Sequence, residues 1–158
     1  MKVNKKTSID IEKMAKNLAN MKVQVGFLSS AKYEDGTSVA QVAMFNEYGV
    51  PQRRQPPRPF MRTALKKAKE WKKTFDFMIK KDFARGGDFK TSFETLGLVV
   101  KGDIKTSIKE LTAPALAQST IDRKGFSKPL IDTGYMLDAV NYEVSKWLVT
   151  YIILLLML

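Results

Sequence analysis

The chain of 158 residues contains neither cysteine nor histidine. Without cysteine there can be no disulfide, thiolate nucleophile or cysteine metal site. Without histidine the commonest general base and metal ligand are gone. Only carboxylate or hydroxyl chemistry remains, and the acids show no ligand spacing. Glu34-Asp35 and Asp82 with Asp88 are scattered, and no Walker A, GxGxxG or GxSxG pattern occurs. The expectation is a protein without cofactor, metal or catalytic residues. The start, MKVNKKTSIDIEKM, lacks an apolar core, which predicts no secretory signal and synthesis in the cytoplasm. Uncharged apolar sequence is confined to residues 147–158. That is shorter than the roughly 20 residues a membrane-spanning helix needs, so no membrane partner is expected.

What the chain has in excess is positive charge, +11 overall. It is concentrated in one place: residues 53–85 hold 12 basic and 3 acidic residues, net +9, whereas residues 86–158 balance 8 against 8. Such a segment is either a face for nucleic acid or an acidic partner, or a solvated lysine-rich helix face. Arg53, Arg54, Lys66, Lys69, Lys72 and Lys73 are the candidate contacts.

Periodicity places the elements. Ser8 can cap a helix over 8–20 with Ile9, Ile11, Met14, Leu18 and Met21 as its stripe. Residues 22–28 alternate as a half-buried strand, followed by a turn-rich loop through Asp35-Gly36. Thr37 or Ser38 can cap a helix that turns Val39, Val42, Ala43, Met44 and Phe45 inward and ends at Gly49. Residues 50–59 hold four prolines, which excludes helix and central strand there.

A long helix from Pro59 is predicted by Met61, Ala64, Leu65, Ala68, Trp71, Phe75, Met78 and Ile79, stopping at Arg85-Gly86-Gly87. A second covers about 89–111 on Phe93, Leu96, Val100, Ile104, Ile108 and Leu111, with a kink allowed at Gly97 or Gly102. Pro114 ends it, and a helical turn fits 114–122. Val140, Tyr142 and Val144 alternate as a second strand. The fold class is α+β: a small antiparallel sheet packed by helices, with a long helical hairpin. Residues 1–146 form a single domain and 147–158 a hydrophobic tail, which calls for a covering subunit.

Three stretches in this order resemble a known family. Ala43–Gly49 reads A-x-x-x-E-Y-G, Pro57–Met61 reads P-R-P-F-M, and Lys128–Met136 reads K-P-L-I-D-T-G-Y-M. The chain resembles the tail-completion and virion-morphogenesis proteins of lambda-like siphophages and Mu-like phages over about residues 20–145. That resemblance implies a non-enzymatic building block of the virion neck, present as a homo-oligomer ring. Its partners would be other neck and tail proteins (connector, tail terminator or tube); the basic segment adds an expectation of non-specific contact with DNA. Its location would be the virion, and the host cytoplasm during assembly. A basic nucleic-acid-binding accessory protein is the alternative.

Each stretch also has a structural explanation. Glu47, Tyr48 and Gly49 are either a contact surface or a helix end with Tyr48 packed over the core. Pro57, Arg58, Pro59 and Phe60 are either a docking arm or a stiff lead into the long helix, with Phe60 as anchor. In Lys128, Pro129, Leu130, Asp132, Thr133 and Gly134, Asp132 or Thr133 caps a short turn, and Leu130 and Ile131 fill the core.

Overall fold

A computed structural model describes residues 5–146, with side chains from Asp10 onward. The order is α1 (Lys5–Ala19), β1 (Met21–Phe27), α2 (Val39–Tyr48), a 3-10 turn (Pro51–Arg53), α3 (Phe60–Leu65), α4 (Ala68–Ala84), α5 (Lys90–Glu110), α6 (Gln118–Lys124), α7 (Tyr135–Asp138) and β2 (Val140–Lys146). The fold is α+β, as expected. The hydrophobic tail lies outside the described residues.

β1 and β2 pair antiparallel, from Met21 opposite Lys146 to Phe27 opposite Val140. Their alternation gives the sheet two faces. Val23, Val25 and Phe27 share one face with Val144, Tyr142 and Val140, while exposed Gln24 and Glu143 mark the other. Helix α5 packs against both strands. Its approach is close at Gly97, where an added Cβ would stand 2.4 Å from the Tyr142 ring. A glycine that weakens the helix by propensity therefore admits an aromatic ring, and α5 runs unbroken through Gly97 and Gly102.

The helical hairpin forms around two glycines, Gly86 (φ 107°) and Gly87 (φ 80°). Its pairings run in opposite sequence order, as an antiparallel pair requires. Phe83 meets Phe89 at 4.9 Å between ring centres, and Phe75 meets Phe93 at 5.0 Å. Trp71 Nε1 donates to Asp103 at 2.7 Å, and the Ser107 hydroxyl donates to the Phe60 carbonyl at 2.7 Å.

The core cluster joins Val39 and Ala43 of α2, Phe60 and Ala64 of α3, Ile104 and Ile108 of α5, Met136 of α7 and Val140 of β2. Complete burial of Phe60, Ile108, Val39 and Val140 stabilises the fold by about 1.5–3 kcal/mol for each side chain.

Several expectations are corrected. Ser8 lies inside α1, which begins at Lys5, so it is not the cap. Ile11 is exposed, and it is Met14 that reaches the rest of the fold, at Gly87. Ser38 is the N-cap of α2 but its hydroxyl makes no capping bond. Met44 is half exposed, one residue beyond the buried Val39 and Ala43 face. The proline-rich stretch contains one 3-10 turn, closed by the Arg54 N–H on the Pro51 carbonyl.

The helix expected from Pro59 is two helices. At the break the Lys66 and Lys67 N–H groups bond to carbonyls three residues back, Thr63 and Ala64, tightening the backbone. The Asp103 carboxylate holds both sides of the bend, through Lys67 Nζ at 2.6 Å and Trp71. Leu65 and Ala68 flank the bend and are exposed, unlike the stripe residues Ala64 and Trp71.

Candidate functional site: a glutamate lock and a basic helix

The first two sequence stretches meet at Glu47. Val39, Ala43 and Glu47 repeat every four residues on the buried face of α2, which carries Glu47 to the start of α3. That helix begins behind Pro59, whose side chain offers no acceptor to the orphan N–H groups of its first turn. Glu47 supplies it from across the fold. Its Oε2 accepts from the Met61 N–H at 2.8 Å, and its Oε1 from the Arg62 N–H at 3.2 Å and Arg62 Nε at 2.8 Å. Arg62 Nη2 also donates to the Glu47 carbonyl at 2.9 Å. Glu47 is 4% exposed, so a carboxylate buried at a helix N-terminus is both hydrogen-bonded and charge-compensated.

Gly49 and Arg58 complete the lock. Gly49 has φ 79°, and a Cβ there would stand 2.7 Å from the Gln55 carbonyl and 2.8 Å from the Pro57 nitrogen. Only glycine lets the arm fold back this tightly. Arg58 is buried and donates its backbone N–H to the Asn46 carbonyl at 2.7 Å. Its guanidinium reaches the carbonyls of Pro114 and Ala115, both at 3.3 Å. Burial lowers the Arg58 pKa from its ordinary value. Phe60 fills the core, as the stiff-lead reading expects, while Pro56 and Pro57 are exposed at the outer end of the arm.

Tyr48 is not packed over the core: it is 62% exposed, because Glu47 occupies the inward position of that turn. The Arg62 guanidinium stands over its ring at 5.1 Å.

The third stretch is held separately. Lys124 Nζ donates to the carbonyls of Lys128, at 2.8 Å, and Ile131, and burial lowers the Lys124 pKa. Pro129 is buried, and Leu130 and Ile131 pack against the core. Of the two expected caps, the Thr133 hydroxyl accepts from the Tyr135 N–H at 3.4 Å, while Gly134 occupies the N-cap position with φ 86°. Asp132 and Thr133 are exposed. The Tyr135 hydroxyl donates to the Lys32 carbonyl at 2.6 Å and its ring lies 5.1 Å from Tyr33. The core cluster, through Phe60 and Met136, is what links this stretch to the other two.

No protein-family model, no curated protein and no solved structure matches this chain. Function is therefore read from its own residues.

The candidate basic contacts are all on the surface. Arg53 and Arg54 are exposed in and after the 3-10 turn, and Lys66, Lys69, Lys72 and Lys73 are exposed at the bend and on α4. Lys72 pairs with Asp76 one turn on. Lys66, Lys69 and Lys73 have no ion-pair partner among the described residues. Two features were not anticipated from the sequence. Glu47 is a cap rather than a surface residue, and the signal was a charged residue in register with Val39 and Ala43. Phe77 is 59% exposed on the lysine face of α4, and its signal was a position off the Trp71–Phe75–Met78 stripe.

Among the described residues, no group of three acidic, histidine or cysteine side chains is placed to hold a metal ion. None of the described helices is long and apolar enough to cross a membrane.

Proposed function

We propose that this chain is a structural, non-enzymatic virion protein of a tailed phage, acting in neck assembly, tail completion and head-tail joining. Its location is then the virion neck, reached from the host cytoplasm. Its partners are copies of itself in a ring and neighbouring connector, tail-terminator or tube subunits. One observation carries the reading. The A-x-x-x-E-Y-G and P-R-P-F stretches that resemble the family interlock through the Glu47 carboxylate. Residues with that much backbone bonding serve to fix an arm, as a building block needs, and both Glu47 carboxylate oxygens are engaged in it. Asp103 and Asp82 are likewise engaged, by Lys67 with Trp71 and by the Ser92 hydroxyl.

Deletion of the gene in the producing phage tests this. DNA-filled heads beside unjoined or defective tails are expected, and normal infectious particles refute the reading. The second reading, a basic accessory protein on nucleic acid, is favoured by Lys66, Lys69 and Lys73, which are exposed and have no ion-pair partner among the described residues.

A further inference from the structure

Helix α4 buries none of its residues completely and turns one broad face to solvent. Lys69, Lys73, Phe77 and Lys80 fall on that face at intervals of four, four and three residues, with Lys81 beside them. From Lys69 to Lys80 the row is about 16 Å long. Glu70 lies on the same face at its N-terminal end. Phe77, 59% exposed, sits between Lys73 and Lys80. An isolated exposed phenylalanine is ordinary, but one ringed by ammonium groups is the pattern of an interface: an aromatic anchor with a charged rim.

We propose that Phe77 and the lysines around it form a docking surface for an acidic protein segment that brings apolar side chains to the ring. Charge complementarity selects the partner's sign. A second copy docking by this same face is a poor occupant, since two lysine rows would oppose each other. Nucleic acid fits the lysines but leaves Phe77 unexplained. Lys81 Nζ stands over one face of that ring, 4.4 Å from its centre, and competes with a base for stacking on that face. A membrane surface would need several apolar side chains along the face, and Phe77 is the one large apolar residue in this row. With 59% of the residue exposed, the rest of the Phe77 ring is open for apolar contact. The inference stands on this face alone and is independent of the phage reading, which gene deletion tests separately.

The test measures binding of the full chain by fluorescence anisotropy to four probes. They are a 20-residue peptide of glutamates with leucines at i and i+4, polyglutamate of equal length, a 20-base-pair duplex, and vesicles containing phosphatidylglycerol. The leucine-bearing peptide should bind most tightly, and its affinity should fall at least tenfold between low and moderate salt. Phe77→Ala should weaken the peptide about tenfold and leave polyglutamate unchanged, and Lys73→Glu with Lys80→Glu should abolish both. Unchanged thermal melting of Phe77→Ala would show that the loss is local. Three results overturn the proposal: no binding of the peptide, equal peptide binding by Phe77→Ala, or tighter binding to duplex or vesicles than to the peptide.

Discussion

Replacing Glu47 by alanine separates a helix cap from a salt bridge. The change removes the acceptor for the Met61 N–H, the Arg62 N–H and Arg62 Nε. Losing a helix cap costs about 1 kcal/mol. A buried donor left without a partner costs about 1–3 kcal/mol. The Arg62 side chain is 53% exposed, so water re-solvates its guanidinium once Glu47 is gone. Glu47→Ala should therefore destabilise by about 2–4 kcal/mol. At about 2–4 °C for each kcal/mol in a chain of this size, the midpoint should fall by about 5–15 °C. Glu47→Gln, which keeps one carbonyl acceptor, should cost roughly half as much. Arg62→Ala leaves both backbone N–H groups capped but removes the cation beside the buried Glu47 carboxylate, so it should cost more than a surface pair and clearly less than Glu47→Ala. Urea and thermal unfolding followed by circular dichroism measure all three. If Arg62→Ala costs as much as Glu47→Ala, or if Glu47→Ala costs less than about 1 kcal/mol, the lock is not a cap.

Gly97→Ala should destabilise by about 1–3 kcal/mol although alanine is the better helix former, because its Cβ enters the Tyr142 ring. Adding Tyr142→Val should recover part of that loss in a double-mutant cycle, and strict additivity would deny the contact. The Asp103 carboxyl is pushed up by burial, but the Lys67 ammonium and the Trp71 N–H outweigh this and hold it below its usual value. A depressed folded-state pKa adds stability above the unfolded value, near 4, and that stability fades as pH falls through the folded value. The gap in stability between wild type and Asp103→Asn should thus shrink from about pH 5 downward, and a gap constant to pH 3 would contradict the assignment. Trp71→Ala, which removes a half-buried ring and its bond to Asp103, should cost about 2–3 kcal/mol in urea unfolding.

The parts of the fold that repeat were legible. Phe93, Ile104 and Ile108 sit on one side of α5 at helical spacing, and all three are buried. Val140, Tyr142 and Val144 alternate and share the inward face of β2. Illegible parts depend on pairings between distant residues. The bend at Lys66 and Lys67 has no proline or glycine to announce it, and its tie, Asp103, is 36 residues from Lys67. From sequence Glu47 reads as surface or helix end, because charge usually marks the outside. Its burial follows only once Pro59 is seen to leave the next helix uncapped and the chain to return within reach. The sequence leaves Tyr48 open between contact surface and core; one helical step places it about a hundred degrees from the glutamate that takes the inward position, and it faces outward.

These placements divide the chain's chemistry in two. Glu47, Gly49, Arg58 and Phe60 spend their polar and apolar groups on one another and on the core. Changes there act on partners only by loosening the fold, so any loss of assembly should track the loss of stability. The lysine row of α4 is the opposite case, because few of its bonds are internal. Charge reversal at Lys69 and Lys73 should leave the unfolding midpoint within a few degrees and still alter what the protein binds. A variant set plotted as assembly against stability would place the two groups on different lines. If both fell on one line, the exposed face of α4 would be a solvated surface and nothing more.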